Sequence, residues 1–478
     1  MNGNNKKKKI RSFPIIVLTT IYVVLFVCML GHVFYYSLNH KQEFVNNNHN
    51  TRQKILVKQN QRGKILSRNG DILAYTDKNE NGGEVRVYPY DRLFAHAVGY
   101  STKGKTGIED IANYYLITSD IDLSHKVGYD SKGLKYPGDN VTTTLDVDLQ
   151  RAAFDALGNR KGAVVVSNPK TGEILAMVSK PVFDPNTVSQ DWQNMINDTS
   201  GDAVLLNRAT QGKYPPGSTF KIVTTLGYLK EHPTDYGDYS FSCSGQFNYE
   251  DGRISCYHGE RHGTVSLERS FAKSCNSSFA NIGVGLKPET FEGVLSDLLF
   301  NRDLPLDYRY NESSATYPTD KNVSSIMQLS IGQGKTSMTP MHLNMITCAV
   351  ANGGTLMKPY VIKEIKSEDG KVIKTYAPEQ YASLMSGDEA SIIRGFMEKV
   401  VTEGTASKLK GLSYTAAGKT GSAEFNEFKD SHAWFTGYAP ADDPQICVTV
   451  IVEGAGSGGS FAVPVAKSVF DTYFGVTW

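Results

Sequence analysis

The sequence has little excess of either charge and few cysteines. Its 50 Lys and Arg residues are balanced by 49 Asp and Glu residues, so the net charge of the 478-residue chain is +1 and no nucleic-acid partner is indicated. The 6 cysteines lack the paired spacing of a four-ligand zinc site, and we expect no metal. With 40% hydrophobic and 21% charged residues, the composition is that of a globular protein with a sizeable core.

Charge is missing altogether from residues 15–36. As a helix this run would be about 33 Å long, enough to cross the hydrocarbon core of a membrane. Lysines fill positions 6–9, whereas the first acidic residue is Glu43. We therefore expect a cytoplasmic tail at 1–14, a retained single-pass anchor at 15–36 in the cell membrane, and the remaining chain on the extracytoplasmic side. A cleaved signal peptide is the alternative, which the lack of a small-residue cleavage site disfavours.

Five of the six cysteines separate into two groups. Cys28 lies in the predicted anchor, Cys348 in an apolar helix-like stretch and Cys447 in a strand-like run, and these three are typical of small core residues. Cys243 and Cys256 lie thirteen residues apart in a segment rich in Gly and Ser, which should face an oxidising space. A disulfide between them and two free thiols are both open.

Three segments follow the anchor. Residues 37–61 are polar and rich in asparagine, which predicts a tether. Residues 62–147 contain short β-like runs at 63–66, 84–88 and 140–145, and these predict a small β-rich pedestal domain. Residues 148–478 form the largest segment.

Helix-like and strand-like patterns alternate in residues 148–478. Predicted strands lie at 163–166, 173–178, 434–438 and 446–452 and around Lys419, and predicted helices at 148–157, 338–352 and 463–474. Strands at both ends of one domain, with helices between them, predict a mixed α/β fold in which distant segments form one mixed sheet flanked by helices.

Three short strings carry candidate chemistry: Ser218-Thr219-Phe220-Lys221, Ser274-Cys275-Asn276 and Lys419-Thr420-Gly421. Each is weak alone, since Ser-x-x-Lys also begins at Ser167, Ser270 and Ser407. The Ser218 string follows a Tyr-Pro-Pro-Gly breaker and precedes apolar residues at helical spacing, which predicts Ser218 at a helix N-terminus with Lys221 one turn later. Pro169 predicts a turn after Ser167, and we interpret the Ser270 and Ser407 strings as ordinary serines with solvated lysines.

The predicted site suits serine acyl transfer with lysine as the base. A serine hydroxyl becomes a good nucleophile when a base takes its proton. Lys221 can do so only if burial and a second cation, Lys419, lower its pKa from about 10.4 by about 3. Ser274 could bridge the two amines and pass a proton to the leaving group, and Asn276 could bind a substrate peptide group.

The Lys-Thr-Gly strand is predicted to bind the rest of the substrate. The Thr420 and Ser422 hydroxyls with Lys419 suit a terminal carboxylate, and Gly421 lets substrate lie against the strand edge. The backbone N–H groups of Ser218 and Ser422 are the candidate oxyanion hole.

With these motifs the chain resembles the class B penicillin-binding proteins, which are membrane-anchored, monofunctional peptidoglycan D,D-transpeptidases. The likeness extends over residues 62–74, 144–150, 168–186, 214–221, 274–279 and 418–424. It implies a transpeptidase domain of the penicillin-binding and serine β-lactamase type, with Ser218 as nucleophile, Lys221 as base, Ser274 as proton shuttle, Asn276 as substrate binder, and Lys419 with Thr420 as carboxylate anchor.

The resemblance also implies partners. These are stem peptides ending in D-alanyl-D-alanine, β-lactam antibiotics that mimic that end, and a polytopic membrane glycosyltransferase; no cofactor is implied. Ser67 and Ser422 depart from the residues usual in the family, without affecting the chemistry.

Three other functions stay open. A D,D-carboxypeptidase differs only in accepting water, and a β-lactamase would need an added base, for which no class A Glu-x-x-Leu-Asn string is found. A scaffold that activates a glycosyltransferase is the non-enzyme hypothesis. Elongation, division and sporulation roles are not distinguished.

Overall fold

The computed structural model describes residues 13–39, 51–319, 322–423 and 431–476. Its α-helices are Phe13–Asn39, Thr51–Gln59, Ala95–Val98, Gly107–Ile111, Asn113–Ile117, Leu123–Ser131, Val147–Leu157, Val188–Ile196, Lys221–Glu231, Leu267–Ala272, Asn276–Gly285, Pro288–Asp297, Val323–Ser330, Pro340–Ala351, Gly387–Thr402 and Gly458–Tyr473. Short 3-10 turns lie at Asp91–Phe94, Gly217–Phe220, Tyr236–Asp238, Tyr257–Gly259 and Ser407–Leu409.

The strands form two larger sheets and four two-stranded ones. In chain order they are Asn60–Gln61, Ile65–Leu66, Ile72–Lys78, Glu84–Val87, Tyr136–Pro137, Asn140–Thr143, Gly162–Ser167, Ile174–Lys180, Ser240–Cys243, Gln246–Tyr249, Gly252–Ser255, Gly263–Ser266, Thr355–Met357, Ile362–Lys366, Val372–Thr375, Gln380–Ser383, Ala417–Ala423, His432–Ala439 and Ile446–Val452.

The catalytic sheet, as we call the five-stranded one, joins the two ends of the large segment. Its order is Ala417–Ala423, His432–Ala439, Ile446–Val452, Gly162–Ser167 and Ile174–Lys180, and every neighbouring pair is antiparallel. The four strands after the first are buried at every position, which is why they read as continuous apolar runs. The first strand, which carries Lys419, is an edge strand with one free side.

Helices cover both faces of this sheet. Pro340–Ala351 is buried along its whole length, and its Thr347 hydroxyl hydrogen-bonds the hydroxyl of Thr436 at 2.7 Å. Gly458–Tyr473 packs on the strands as well, and the Tyr414 hydroxyl donates to its buried Asp471 at 2.7 Å. The predicted α/β fold, closed by distant chain segments and flanked by helices, is therefore confirmed, although the catalytic sheet itself is antiparallel throughout rather than mixed.

The pedestal sheet is the six-stranded one, and part of it comes from the large segment. Ile362–Lys366 pairs with Asn140–Thr143 and is followed at the sheet edge by Val372–Thr375. A boundary at 147/148 therefore does not separate the two sheets. The sequence could not indicate this, because a strand pattern does not specify which sheet the strand joins.

The N-terminal region agrees in part with expectation. Phe13–Tyr36 is long and apolar enough to cross a membrane, and none of it is buried against other residues. In the predicted tether, residues 40–50 lie outside the described residues, but Thr51–Gln59 is helical and Asn60–Gln61 pairs with Tyr136–Pro137. The tether is thus ordered where it meets the pedestal. The tail at 1–12 also lies outside the described residues.

Candidate active site

Ser218 lies in a tight turn pressed against the Lys419 strand. The 3-10 turn Gly217–Phe220 leads directly into the helix Lys221–Glu231, so Ser218 precedes the α-helix rather than capping it. Gly217 has φ +53°, and a Cβ there would lie 3.0 Å from the Cβ of Ala423. Only glycine combines this left-handed backbone with so close an approach at no cost.

The amine of Lys221 is fully buried and donates to three oxygens. Its Nζ lies 2.6 Å from the Ser274 carbonyl oxygen, 2.7 Å from Asn276 Oδ1 and 3.1 Å from Ser274 Oγ. No hydrogen bond between the Ser218 hydroxyl and Lys221 occurs among the described residues. The two side chains share one turn, as predicted, but in this conformation the base contacts the second motif.

Ser274 and Asn276 lie at the junction of two helices. Leu267–Ala272 ends just before Ser274, which adopts φ +57°, and Asn276–Gly285 begins just after it. A serine in this left-handed conformation is uncommon, and such strain is concentrated at functional positions. The Asn276 side chain is fixed from both ends, because its Nδ2 also donates to the Ser255 carbonyl oxygen at 3.1 Å.

Lys419 reaches the same serine from the opposite side. Its fully buried Nζ donates to Ser274 Oγ at 2.9 Å and to the Thr420 carbonyl oxygen at 3.1 Å. Ser274 Oγ therefore bridges the amines of Lys221 and Lys419. The expectation that the fold brings the two lysines together is met by these distances.

Both amines are hard to charge in this site. Burial lowers the pKa of Lys221 to about 7. Burial, and then the charge of Lys221, lower the pKa of Lys419 well below its usual range. This order of protonation differs from our expectation that Lys419 carries the positive charge. In the site without substrate, the first proton binds to Lys221, because its amine has three hydrogen-bond acceptors.

The rest of the predicted site lies on the edge strand. Thr420 is buried and its hydroxyl hydrogen-bonds that of Thr405 at 2.5 Å, while Ser422 Oγ accepts from the Gly458 N–H at 3.4 Å. A Cβ on Gly421 would lie 3.0 Å from the Pro216 carbonyl oxygen, so this glycine lets strand and turn meet. Glu424, the end of the matching block, lies outside the described residues.

Two neighbouring cavities open at this edge. One is lined by Ser218, Ser274, Asn276, Thr420, Gly421 and Ser422, which are all predicted site residues. The second, of about 630 Å³, shares Tyr257, Asn276 and Ser422 with the first and extends to Arg253 and Gln333. The predicted site residues thus lie beside a second, larger cavity.

The competing strings do not form such a site. Residues 168–172 make a turn closed by the Gly172 N–H on the Asn168 carbonyl oxygen. Lys273, after Ser270, donates to the Glu403 carbonyl oxygen, and Ser407 and Lys410 are exposed. The string that local sequence context selected is the one that the structure places beside Ser274 and Lys419.

The sequence did not indicate two features of this site. Thr405, which bonds Thr420, has no recognisable motif. The second feature is a cluster in which Cys243, Cys256, His262 and Cys275 bring their ligand atoms within 4.8 Å of one another. Our expectation of no metal rested on linear spacing and did not consider Cys275 together with the other cysteines, and it stays a prediction. Cys243 and Cys256 are free thiols here, and Cys348 and Cys447 are buried core residues as predicted.

Comparisons with known proteins agree with this geometry. Residues 162–471 match the penicillin binding protein transpeptidase domain, and residues 62–141 match the penicillin binding protein A dimerisation domain. The chain is 30% identical to the peptidoglycan D,D-transpeptidase PbpA of Mycolicibacterium smegmatis, over 87% of this chain and 90% of the relative. It is 31% identical to PbpA of Mycobacterium tuberculosis, over 88% and 90% of the two chains.

Solved structures give the same result. Penicillin-binding protein A of M. tuberculosis, as its imipenem acyl-enzyme complex, matches with a TM-score of 0.78 and 29% identity, over 87% of this chain and 99% of that one. Pseudomonas aeruginosa PBP2 matches with a TM-score of 0.73 and 30% identity, over 86% and 96%. The chain therefore belongs to the penicillin-binding protein transpeptidase family, as a class B member.

Proposed function

We propose that this protein is a serine D,D-transpeptidase that cross-links peptidoglycan stem peptides and is acylated by β-lactams at Ser218. The observation that carries the proposal is the bridge in which Ser274 Oγ joins two buried amines beside the Ser218 turn. Burial without a carboxylate partner keeps at least one of these amines neutral near pH 7, and a neutral amine is what serine activation requires.

We assign the first proton transfer to Lys221. The carboxylate of a terminal D-alanine is assigned to the Thr420 and Ser422 hydroxyls and Lys419. Lys221 acts in its neutral form, which predominates above its pKa, and takes the Ser218 proton as Ser218 Oγ attacks the penultimate carbonyl carbon.

The remaining groups guide collapse of the tetrahedral intermediate. Its oxyanion is assigned to the backbone N–H groups of Ser218 and Ser422, and Asn276 holds the peptide amide. The C–N bond to the terminal D-alanine breaks, and the leaving amine takes the proton held by Lys221 through Ser274. An acceptor amine entering by the adjoining cavity attacks the ester, restores the Ser218 hydroxyl and completes the cross-link.

Labelling with a fluorescent penicillin tests the nucleophile. Ser218→Ala should abolish the label, whereas Ser407→Ala, in another Ser-x-x-Lys string, should label like the parent chain. A Ser218→Ala chain that still forms a covalent adduct by intact-mass spectrometry would overturn the assignment.

Product analysis separates transfer from hydrolysis. With a D-alanyl-D-alanine peptide and an acceptor amine, the expected main product is the new amide. Release of the free acid alone would identify a carboxypeptidase, and rapid release of hydrolysed penicillin a β-lactamase. The scaffold hypothesis would be supported if the protein is labelled by penicillin but cells that lack it cross-link peptidoglycan to the same extent.

The cellular arrangement is also a proposal. We infer a single-pass membrane protein with its N-terminus in the cytoplasm, supported by the unburied apolar helix Phe13–Tyr36 and the lysines before it. The pedestal at 62–147 and the transpeptidase domain at 148–478 would lie outside, where a polytopic glycosyltransferase could bind helix and pedestal. Protease accessibility in intact spheroplasts tests the orientation: the folded body should be cleaved only from outside.

A further inference from the structure

A cavity of about 220 Å³ lies where the pedestal meets the transpeptidase domain. The pedestal helices Ala95–Val98 and Gly107–Ile111 contribute to one side of it, and residues 205–211 and 307–309 of the large segment contribute to the other. This junction cavity shares no lining residue with the two cavities at the active site. The mechanism proposed above makes no use of it.

A buried hydrogen-bond acceptor without a partner lines the junction cavity. His96 is 7% exposed, and burial lowers its pKa to about 4, so the ring is neutral. The imidazole bonds the Pro181 carbonyl oxygen, and its Nε2 has no hydrogen-bond partner among the described residues. Because the nitrogen that donates to the carbonyl carries the proton, Nε2 is a bare acceptor. A buried acceptor of this kind is costly unless a donor occupies the space beside it.

The charges around the junction cavity balance one another. Asp110 is paired with Arg309 at 3.0 Å, and the charge of Lys105 also interacts with the Asp110 carboxylate. The carboxylate of Asp307, at the exposed rim, supplies the second negative charge. Two acidic and two basic groups leave no net charge to attract an ion. The ligand that fits these surroundings is therefore neutral.

The size and lining of the junction cavity restrict the ligand further. Drug-sized ligands occupy pockets of about 300–1,000 Å³, so 220 Å³ has room for about one six-membered ring with its substituents. The buried aromatic rings of Phe183 and Tyr308 provide apolar walls. The side-chain amides of Asn207 and Gln211 line the same space and can both donate and accept hydrogen bonds.

We propose that the junction cavity binds one neutral pyranose ring of a saccharide. Sugar hydroxyls donate and accept, so they can donate to His96 Nε2 and to the Asp307 carboxylate and accept from the amide of Asn207. The C–H groups of the ring pack against the aromatic walls. Water is a poorer occupant, because a buried water makes about three hydrogen bonds and the apolar walls offer none.

Binding should stabilise the contact between the pedestal and the transpeptidase domain. The Tyr308 hydroxyl donates to the carbonyl oxygen of Ala97 in the pedestal at 3.0 Å, and the Thr210 hydroxyl donates to the Arg309 carbonyl oxygen at 2.8 Å. This stretch therefore connects the two sides of the junction cavity. A ring between them is held only when both sides are folded, so saturating saccharide should raise the urea midpoint of unfolding.

Saturation-transfer NMR on the full-length chain, in a detergent without a sugar head group, tests the site. Methyl glycosides of glucose and N-acetylglucosamine should receive saturation from the protein and raise the urea midpoint. Cyclohexylamine and cyclohexanecarboxylate, which are charged rings of similar size, should do neither. Absence of both effects with every saccharide, or binding of a charged ring in place of the sugars, would overturn the proposal.

A trimer of N-acetylglucosamine separates two sources of the ring. Because the cavity has room for one ring, transfer confined to a terminal ring of the trimer would identify the end of a saccharide chain as the ligand. Binding of the methyl glycosides without the trimer would identify a free monosaccharide. Equal transfer to all three rings would contradict an enclosed site for one ring.

Variants locate the binding site. His96→Phe keeps a planar ring but removes the acceptor, and Asp307→Ala removes an exposed carboxylate, so the second variant should fold even if the first does not. Each should weaken saccharide binding by about tenfold. Asp251→Ala, at an exposed aspartate outside the cavity, should bind like the parent chain. Parent-like binding by the Asp307 variant and by a folded His96 variant would contradict the assignment.

The saccharide site does not depend on the proposed function. Ser218→Ala should lose the penicillin label while binding the methyl glycosides with unchanged affinity. Asp307→Ala should show the reverse, with parent-like labelling and weakened saccharide binding. Failure of the proposed function and failure of the saccharide site are therefore distinguishable. Loss of saccharide binding in the Ser218 variant would place the sugar at the active site and overturn the proposal.

Discussion

At the scale of residues, the main result is how two lysines are kept ready to lose protons. Neither amine has a carboxylate partner among the described residues, and both donate a hydrogen bond to Ser274 Oγ. An isolated buried charge is costly, so the folded chain favours the neutral amine. Replacing either lysine by arginine would keep a charge that cannot be released.

The rate of acylation should therefore depend on pH through Lys221. Its pKa is about 7 because the amine is buried, and only the neutral form accepts the Ser218 proton. The second-order rate constant for penicillin labelling should fall about tenfold per pH unit well below 7 and be level above it. Stopped-flow labelling from pH 5 to 9, with circular dichroism at each pH, measures this.

The lysine variant provides the control. Lys221→Arg should fold, since its charge can still bond the same oxygens, but should acylate at least about a hundredfold more slowly at every pH. A parent chain with a flat profile between pH 5 and 8 would contradict the assignment of Lys221 as the base.

Sequence patterns predicted the residues of the candidate site but not the contacts between them. The Ser218, Ser274 and Lys419 strings were found because each combines a recognisable spacing with a helix or strand pattern. The left-handed backbone of Ser274 and the bond between Thr405 and Thr420 arise from packing of distant segments. The cluster of Cys243, Cys256, His262 and Cys275 was missed for the same reason, since its members are distant in sequence.

At the scale of elements, we expect catalysis to depend on how closely the Ser218 turn approaches the Lys419 strand. The Gly217 N–H donates to the Gly332 carbonyl oxygen at 2.9 Å, and the Trp434 indole N–H donates to the Pro215 carbonyl oxygen at 3.0 Å. These bonds hold the turn from two sides. They leave no space at Gly217 for a side chain.

Gly217→Ala should impair acylation more than stability. The left-handed backbone costs an alanine about 1 kcal/mol, and its Cβ would also push against Ala423 and the Ser422 carbonyl oxygen at 3.0 Å. Displacing the nucleophile should slow labelling by about 10- to 100-fold. Labelling rates and urea unfolding of the same samples measure both effects.

Gly411→Ala is the matched control. Gly411 has φ +73°, and no described atom lies within 4 Å of a Cβ built there. The Gly411→Ala variant should lose about 1 kcal/mol in the free energy of unfolding because of its left-handed backbone, but it should react with penicillin at the parent rate. Equal labelling by the Gly217 and Gly411 variants would show that the turn tolerates displacement.

At the scale of the whole molecule, pedestal and catalytic sheet are interlocked by the chain itself. The pedestal contains strands from residues 362–375, and Lys64 forms an ion pair with Glu368 at 2.7 Å. The sequence predicted both sheets, since each has its own strand patterns. It did not predict that two strands from the large segment join the pedestal sheet. Unfolding of the pedestal should therefore extend into the catalytic segment.

A buried charge network stabilises the pedestal. Glu109 is fully buried between Arg62 and Arg86, with N–O distances of 2.6 and 2.7 Å. Burial alone would raise the pKa of Glu109, but the two guanidinium groups outweigh it and hold the pKa below its usual range. Because the folded pKa is lowered, this stabilisation is present above the ordinary carboxyl pKa and is lost as pH falls through the folded value.

Glu109→Gln should destabilise the molecule as a unit. Two buried guanidinium groups would lose their counter-charge, which typically costs about 3–5 kcal/mol in the free energy of unfolding. Since the sheets share strands, penicillin labelling should be lost at the same urea concentration as secondary structure, at a lower midpoint than in the parent chain. Glu403→Gln, which breaks the exposed pair with Lys399, should leave the midpoint unchanged. If labelling outlasted pedestal unfolding in the Glu109 variant, the two sheets would be energetically independent despite their shared strands.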